Sequence, residues 1–195
     1  MKKCLIALMF LSLPAMAAKV GATAPSFNLP NQSGKQVSLA DYKGKTVVLE
    51  WLNHECPYVK KHYNAGNMQA LQKKYTGKDV VWLSIISSAP GKQGYMKGEE
   101  ITKAVAEKKA APSHVLIDAD GKVGKAYKAK TTPHMYVINP EGTLVYAGAI
   151  DDKPTTDVED VKGATNYVAN ALDELMNGKE ISKSYTKAYG CSVKY

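Results

Sequence analysis

Runs of apolar residues in the chain predict several strands. Mostly apolar, partly β-branched stretches lie at residues 46–52 and 80–86, which is typical of strands buried on both faces of a sheet. Residues 114–117 predict a third strand. Residues 135–138 and 143–146 predict a β-hairpin, because an Asn-Pro-Glu-Gly turn joins them.

Helical spacing of apolar residues alternates with these strands. A helix is predicted from Pro57 to Tyr75, interrupted at residues 64–67, Asn-Ala-Gly-Asn. A second helix is predicted at residues 99–109, because the glutamates come early and the lysines late, as the helix dipole favours. The spacing is clearest at residues 167–176. Strands alternating with helices, then a hairpin and a last helix, predict an α/β sandwich with a central mixed β-sheet flanked by helices.

The N-terminal residues have the features of a secretory signal peptide rather than of the fold. Lys2 and Lys3 precede an apolar run at 5–13, and Ala-Met-Ala at 15–17 is a small-x-small cleavage signal. The alternative is a short membrane anchor, but the run is well below the roughly 20 residues that a spanning helix needs. We therefore expect residues 1–17 to be removed. The mature protein is expected to be secreted across the inner membrane into the periplasm, without stable membrane insertion.

The rest of the chain is long enough for one hydrophobic core. We assign residues 18–178 to a single domain and residues 179–195 to a polar C-terminal tail that carries Cys191. The formal net charge of the full chain is +8, and every basic residue counted in it is a lysine. Nucleic-acid recognition relies on arginine and on clustered basic stripes, so we expect no nucleic-acid partner.

Cys56 is the strongest candidate for chemistry. It follows a buried strand and directly precedes Pro57, so it lies at the predicted first turn of a helix. The helix dipole and unpaired backbone N–H groups favour a thiolate there and lower the thiol pKa, and Lys60 would add a cation. The alternative is an unreactive, small buried residue. In an exported protein, where disulfides persist, the position favours a reactive thiol.

Two segments, VVLEWLNHECPYV and TTPHMYVINPEGTLVYAG, and the spacing between them resemble the thioredoxin-fold redoxins. This is the group of alkyl hydroperoxide reductase and thiol-specific antioxidant proteins, and the resemblance covers roughly residues 20–150. It implies a thioredoxin-like sandwich in which the reactive cysteine, Cys56, begins a helix. It also implies a cis-proline loop, Thr132-Pro133, that faces the cysteine and shapes a substrate groove. The alternative for Pro133 is an ordinary trans loop proline.

The sequence departs from the pattern of this group at three points. Val59 replaces the second cysteine of a thioredoxin-type pair. Asn53 occupies the position of the threonine or serine that precedes a peroxidatic cysteine by three residues. The chain also lacks the arginine whose guanidinium would stabilise the thiolate and the transition state, which argues against the usual activation of peroxide.

Cys191 is the candidate partner of Cys56. The segment from Lys179 to Cys191 spans about 40 Å when extended, enough to reach any point on a small domain. Gly190 precedes the cysteine, as expected for a resolving thiol on a tail that swings onto oxidised Cys56. The alternatives are a permanent disulfide that ties the tail down and a disulfide between chains.

Three other side chains are candidates for supporting roles. His54 and His134 are expected near the sulfur as a base or an orienting donor. Glu50, on a central strand, is a candidate buried carboxylate for proton transfer. The cysteine and histidines also suggest copper or zinc, but only one cysteine is near and the ligand spacing is not tight, so we assign no metal ligand.

Together these observations predict an exported thiol-disulfide oxidoreductase of the antioxidant redoxin type. Its substrates would be thiol or disulfide proteins or small oxidants, its reductant an unidentified thiol, and it would need no cofactor. The alternatives are a thiol peroxidase and a periplasmic copper-binding carrier with a thioredoxin fold. The catalytic residues would be Cys56 and Cys191. The groove and supporting residues would be Pro133, Thr132, His134, Asn53, His54, Glu50 and Lys60.

Overall fold

The computed structural model describes residues 17–195. The predicted signal peptide therefore lies outside the described residues, apart from Ala17. The strands are β1 (Asn28–Pro30), β2 (Gln36–Ser38), β3 (Val47–Trp51), β4 (Val81–Ile86), β5 (His114–Ile117), β6 (Thr131–Thr132), β7 (His134–Ile138), β8 (Leu144–Gly148) and β9 (Cys191–Ser192). The α-helices are α1 (Pro57–Asn64), α2 (Asn67–Thr76), α3 (Gly98–Glu107), α4 (Lys122–Ala126) and α5 (Tyr167–Met176).

Five strands form a central mixed sheet in the order β5-β4-β3-β7-β8. β3 pairs parallel with β4 and antiparallel with β7, while β4 pairs parallel with β5. All residues of β3 and β4 are buried, as their continuous apolar runs predict. The hairpin β7-β8 is also present. The predicted mixed sheet is therefore confirmed.

Two apolar clusters pack on opposite faces of this sheet, because successive side chains of a strand point to opposite sides. Val48, Met135 and Val137 belong to the cluster that also contains apolar residues of α1, α2 and α5. Leu49 and Tyr136 belong to the second cluster, which the N-terminal segment covers. Cys56 lies in the first cluster, so its chemistry belongs to the helix-covered face.

The interruption predicted in the first helix is real. α1 ends at Asn64 and α2 begins at Asn67. Gly66 lies between them with φ of 72°, in the left-handed region that glycine adopts without a steric penalty. The predicted long helix is thus two short helices, and the turn between them sets the direction of α2.

The C-terminal tail lies against the domain instead of extending away from it. Thr186 N–H donates to Ala147 O of β8 at 3.1 Å. Further along, β9 pairs antiparallel with β6, with Cys191 opposite Thr132. The sequence predicts a polar tail that either swings onto Cys56 or is tied down by a disulfide, and the structure has this tail paired with the domain at both sites. No helix within residues 17–195 has the length and apolar character needed to cross a bilayer.

Candidate functional site

Cys56 occupies the N-cap position of α1, directly after the loop that follows β3. Its backbone is extended, and Pro57 starts the helix, where its missing N–H costs no hydrogen bond. The Cys56 carbonyl accepts the first helical bond from Lys60 N–H at 2.9 Å. The side chain is 0% exposed. The sulfur is therefore fixed at the positive end of a helix and is covered by other atoms.

Cys191 lies directly against this sulfur. The two Sγ atoms are 2.8 Å apart, and the residues are 135 positions apart in the chain. Cys56 Sγ is also 3.0 Å from the carbonyl oxygen of Thr132, which accepts from the thiol when it is protonated. Cys191 itself is only partly buried. The structure thus brings together the two cysteines that the sequence predicts as partners.

The two thiols differ in acidity. Burial raises the pKa of Cys56, but hydrogen bonds from the Cys191 thiol and from the backbone N–H of Val59 outweigh it, so that the pKa falls below its ordinary value. For Cys191, burial and the adjacent Cys56 raise the pKa to about 11. The pair therefore favours a thiolate at Cys56 that accepts from the thiol of Cys191.

The loop that faces the sulfurs contains the predicted proline. The Thr132–Pro133 peptide bond is cis. Gly190 packs directly on this loop, because a Cβ at position 190 would lie 2.2 Å from Thr132 O. Gly190 also has φ of 141°, a conformation that other residues rarely adopt. Only glycine therefore fits between the tail and the cis-proline loop at the register that places Cys191 over Cys56.

Asn53 and Lys60 flank the cysteine without hydrogen bonding to its sulfur. The Asn53 side chain accepts from Glu55 N–H at 2.9 Å and donates to Gln93 O at 3.4 Å, so it orders the loop before Cys56. Lys60 is exposed, and its ammonium group has no ion pair within residues 17–195. That Asn53 supports the site and that the Lys60 cation stabilises the Cys56 thiolate both stay predictions.

The two candidate histidines are not hydrogen bonded to the sulfur. His54 packs its ring against Tyr63, with ring centroids 5.5 Å apart, and neither ring nitrogen has a hydrogen-bond partner within residues 17–195. His134 Nδ1 lies 3.1 Å from Tyr136 OH, and Tyr136 belongs to the apolar cluster that does not contain Cys56. Burial lowers the pKa of both rings to about 4, so both are neutral at pH 7. The expected supporting role of His134 at Cys56 stays a prediction, since its hydrogen-bonding neighbours are Tyr136 and the backbone N–H of Lys130.

Glu50 is buried, as the sequence predicts, with 1% exposure. Its carboxylate accepts from Tyr63 OH at 2.9 Å, from Trp82 Nε1 at 2.9 Å and from Ser84 OH at 2.8 Å. Gln72 Nε2 adds a fourth donor at 3.2 Å. Burial raises the pKa of Glu50 although these hydrogen bonds lower it. The carboxylate therefore belongs to a closed polar cluster beneath α1.

A second polar cluster, which the sequence does not predict, holds the tail. We call it the tail-anchor cluster: Lys61, His62, Asp151 and Tyr189. Tyr189 OH donates to Asp151 Oδ1 and lies 3.1 Å from His62 Nε2. Lys61 Nζ is 3.6 Å from Asp151 Oδ2, and both side chains are almost fully buried. Lys61 resembles an ordinary surface lysine in the sequence, so no local signal indicates this cluster.

Metal binding finds no support from the described part of the chain. Within residues 17–195, no group of three or more His, Cys, Asp and Glu side chains is arranged to hold a metal ion. Cys191 is the close neighbour of Cys56, while both candidate histidines make other contacts. The arrangement is therefore that of a dithiol pair.

The sequence pattern of the AhpC/TSA family matches residues 20–147. The chain belongs to this family. Among curated proteins, it is 30% identical over 125 residues to the thiol-disulfide oxidoreductase ResA of Bacillus subtilis, covering 64% of each chain. It is also 30% identical over 135 residues to the thioredoxin-like protein YneN of Bacillus subtilis, covering 68% of this chain and 74% of YneN. The family resemblance predicted from the two motifs is confirmed.

A solved structure extends the likeness to almost the full length. An uncharacterized conserved protein from Geobacillus kaustophilus superposes with a TM-score of 0.77 at 28% identity, covering 91% of this chain and 92% of the other. The mixed five-stranded sheet with flanking helices, the cysteine at the start of α1 and the cis-proline loop make the fold thioredoxin-like, as predicted. ResA and YneN match only part of this chain, which spans 64% of the length of ResA.

Proposed function

We propose that this protein is an exported thiol-disulfide oxidoreductase in which Cys56 and Cys191 alternate between a dithiol and an intramolecular disulfide. The observation that carries the proposal is the distance of 2.8 Å between the two sulfur atoms. A small further approach would bring them to the length of a disulfide bond, about 2.05 Å. The similarity to ResA, a thiol-disulfide oxidoreductase by name, supports the same reaction class.

The redox step is an exchange of two electrons. Closing the disulfide removes two electrons and two protons from the thiols and delivers them to an external disulfide or a small oxidant. An external thiol reductant returns them. The signal-peptide features of residues 1–17 support export. Disulfides form and persist in the oxidising compartments that exported proteins reach.

Disulfide exchange fits the site better than peroxide reduction does. The side chain of Asn53 is hydrogen bonded to the loop backbone, and the sequence has no arginine to stabilise a peroxide transition state. Cys56 is also fully covered. The proposal also assigns proton transfer to Glu50. Its carboxylate accepts a hydrogen bond from Tyr63, which lies on the helix that Cys56 begins.

The test compares the mature protein, residues 18–195, with its Cys56→Ser and Cys191→Ser variants. Thiol counting and mass spectrometry after mild oxidation should find an intramolecular Cys56–Cys191 disulfide in the wild type and none in either variant. The wild type should equilibrate with glutathione, and catalysed reduction of a protein disulfide should disappear in both variants. Two free thiols that survive oxidation would refute the proposal. Rapid Cys56-dependent peroxide consumption, or stoichiometric copper binding, would favour one of the alternative functions instead.

A further inference from the structure

The two sulfurs of the pair differ in their access to other molecules. Cys56 is 0% exposed, whereas Cys191 is partly exposed. The atoms that cover Cys56 include the tail itself, since Cys191 Sγ is in contact with Cys56 Sγ and β9 pairs with the cis-proline loop. A partner molecule that approaches the folded protein therefore meets the tail first.

The tail is attached to the domain on the N-terminal side of Cys191. Two residues before the cysteine, Tyr189 OH donates to the buried carboxylate of Asp151 and contacts His62. Lys61 supplies the positive charge beside that carboxylate. Hydrogen bonds to charged groups are stronger than those between neutral groups, so this side of the tail is held firmly.

The tail is also attached on the C-terminal side of Cys191. Val193 N–H donates to Lys130 O at 3.1 Å, and Lys194 O accepts from Ala89 N–H at 2.8 Å. Tyr195 OH donates to Ala129 O at 2.7 Å. Lifting the tail off Cys56 thus requires these contacts, or those of Tyr189, to break. Reaction at Cys191 requires no such opening.

We propose that thiols and disulfides from outside the molecule exchange with this protein at Cys191 Sγ, and that Cys56 exchanges only with Cys191. This inference rests on the proposed oxidoreductase function and assigns its partner-facing atom. It reverses the roles expected from the sequence, in which Cys56 meets the substrate and Cys191 resolves the product.

Reduction of the disulfide then proceeds in two steps. An external thiolate attacks Cys191 Sγ, a bond forms between the two sulfurs, the Cys56–Cys191 bond breaks, and its electron pair leaves with Cys56 as a thiolate. A second external thiolate, or the second thiol of a dithiol partner, attacks the partner sulfur of the mixed disulfide. Cys191 leaves as a thiolate and takes up a proton, and the partner is released as a disulfide. Two electrons have passed to the protein.

The acidities of the two thiols agree with this direction. Thiol exchange is faster when the leaving sulfur has the lower pKa. Cys56 has the lowered pKa, and the pKa of Cys191 is raised to about 11. Attack at Cys191 expels Cys56, whose thiolate keeps the stabilising hydrogen bond from the backbone N–H of Val59 at the start of α1.

The direct test locates the mixed disulfide. Oxidised mature protein is mixed with glutathione in a quench-flow instrument, stopped with acid at successive times, digested with trypsin and examined by mass spectrometry. Lysines separate the cysteines into the peptides 46–60 and 188–194. Glutathione on peptide 188–194 is the expected result. Glutathione on peptide 46–60 would overturn the inference and leave the proposed function intact, whereas absence of a Cys56–Cys191 disulfide would overturn both.

A second test measures how well the tail covers Cys56. In Cys191→Ser, the remaining thiol should react with Ellman's reagent far more slowly in the folded protein than in urea. Adding Tyr189→Phe removes the hydroxyl that bonds Asp151 and should speed labelling about tenfold, from the loss of a charged hydrogen bond. Tyr185→Phe, at a tail tyrosine that is 69% exposed, is the matched control and should leave the rate unchanged. Equally fast labelling in folded and unfolded Cys191→Ser protein would overturn the inference.

Discussion

Two buried carboxylates in this protein, Glu50 and Asp151, are each bonded by a tyrosine, but the two tyrosines belong to different parts of the chain. Each is at most 2% exposed and accepts a hydrogen bond from a tyrosine hydroxyl. The tyrosine that donates to Glu50 is Tyr63 of α1. The other donors to the Glu50 carboxylate come from α2 and β4. The cluster of Glu50 is thus closed within the domain.

Asp151 instead joins the domain to the tail. Its tyrosine is Tyr189, and its cationic neighbour is Lys61 of α1. One buried carboxylate thus accepts hydrogen bonds from the core beneath Cys56, while the other bonds the tail that carries Cys191. Changes at Glu50 should therefore affect the whole domain. Changes at Asp151 should affect the tail first.

The largest effect is expected at Glu50. Glu50→Ala removes the acceptor for four buried donors and should lower the free energy of unfolding by about 4 kcal/mol or more, since each donor left unsatisfied costs about 1–3 kcal/mol. Urea denaturation of the reduced protein measures this. The exposed neighbour Glu55→Ala is the control and should change stability by less than about 0.5 kcal/mol. A loss below about 1 kcal/mol for Glu50→Ala would contradict the closed cluster.

A smaller but more localised effect is expected at Asp151. Asp151→Asn leaves the buried Lys61 charge without its counter-ion, which should cost about 3 kcal/mol. Amide hydrogen exchange should speed up at Val193 and Thr186 of the tail before it does in β3 or β4. The exposed neighbour Asp152→Asn is the control. If the tail amides keep their protection in Asp151→Asn, then Asp151 does not hold the tail.

Acid should weaken both clusters through their histidines. Burial lowers the pKa of His54, beside Tyr63, and of His62, beside Tyr189, to about 4 in the folded protein. The unfolded chain takes up these protons near pH 6.5, so it binds more protons than the folded state, and stability falls as the pH drops from about 6.5 to 4. Each histidine contributes up to about 1.4 kcal/mol per pH unit in this window.

Urea denaturation at several pH values measures that slope. His62→Gln should reduce this slope by the contribution of one histidine, up to about 1.4 kcal/mol per pH unit. It should also reduce the acceleration of hydrogen exchange at the tail amides when the pH falls. His54→Gln should also reduce the slope of the unfolding free energy against pH, but it should leave the acid sensitivity of the tail amides unchanged. Unfolding free energies that stay constant between pH 7 and pH 4 would contradict the lowered pKa values, because the folded protein would then bind these protons as readily as the unfolded chain does.

The smallest effect is expected at Gly190. Gly190→Ala places a Cβ 2.2 Å from Thr132 O and should cost about 1–2 kcal/mol, confined to the docking of the tail. The equilibrium constant for closing the Cys56–Cys191 disulfide against glutathione should therefore fall about tenfold, with little change in the unfolding of the core. Gly163→Ala, where a Cβ meets no atom of the described residues 17–195 within 4 Å, is the control. An unchanged disulfide equilibrium would mean that the tail docks in another register.

The elements that the sequence predicts are those with a local pattern. The strands β3 and β4 are continuous apolar runs, α5 has regular helical spacing, and Gly66 marks the break after α1. Cys56 at the start of a helix also follows from its proline neighbour. Each of these depends on residues within a few positions of one another, so composition and spacing are sufficient to find them.

The parts that the sequence does not predict depend on contacts between distant residues. Tyr189 bonds Asp151, which is 38 positions away, and Thr132 pairs with Cys191 across an even longer interval. Lys61 is buried because that carboxylate neutralises it, not because of its neighbours in the helix. The surroundings of His134 are not predictable for a related reason: they depend on which residues of β7 face α1, and the start of a short strand decides this.

The separation of the two cysteines has a consequence for the making of the protein. Ribosomes release the segment with Cys56 long before the one with Cys191, because 135 positions lie between them. A nascent chain carrying a thiol pair on one helix would be able to oxidise while still being translated. In the proposed function the couple is complete only once the tail has emerged and docked, so premature termination anywhere upstream of Cys191 would yield a product that lacks one of the two proposed redox sulfurs.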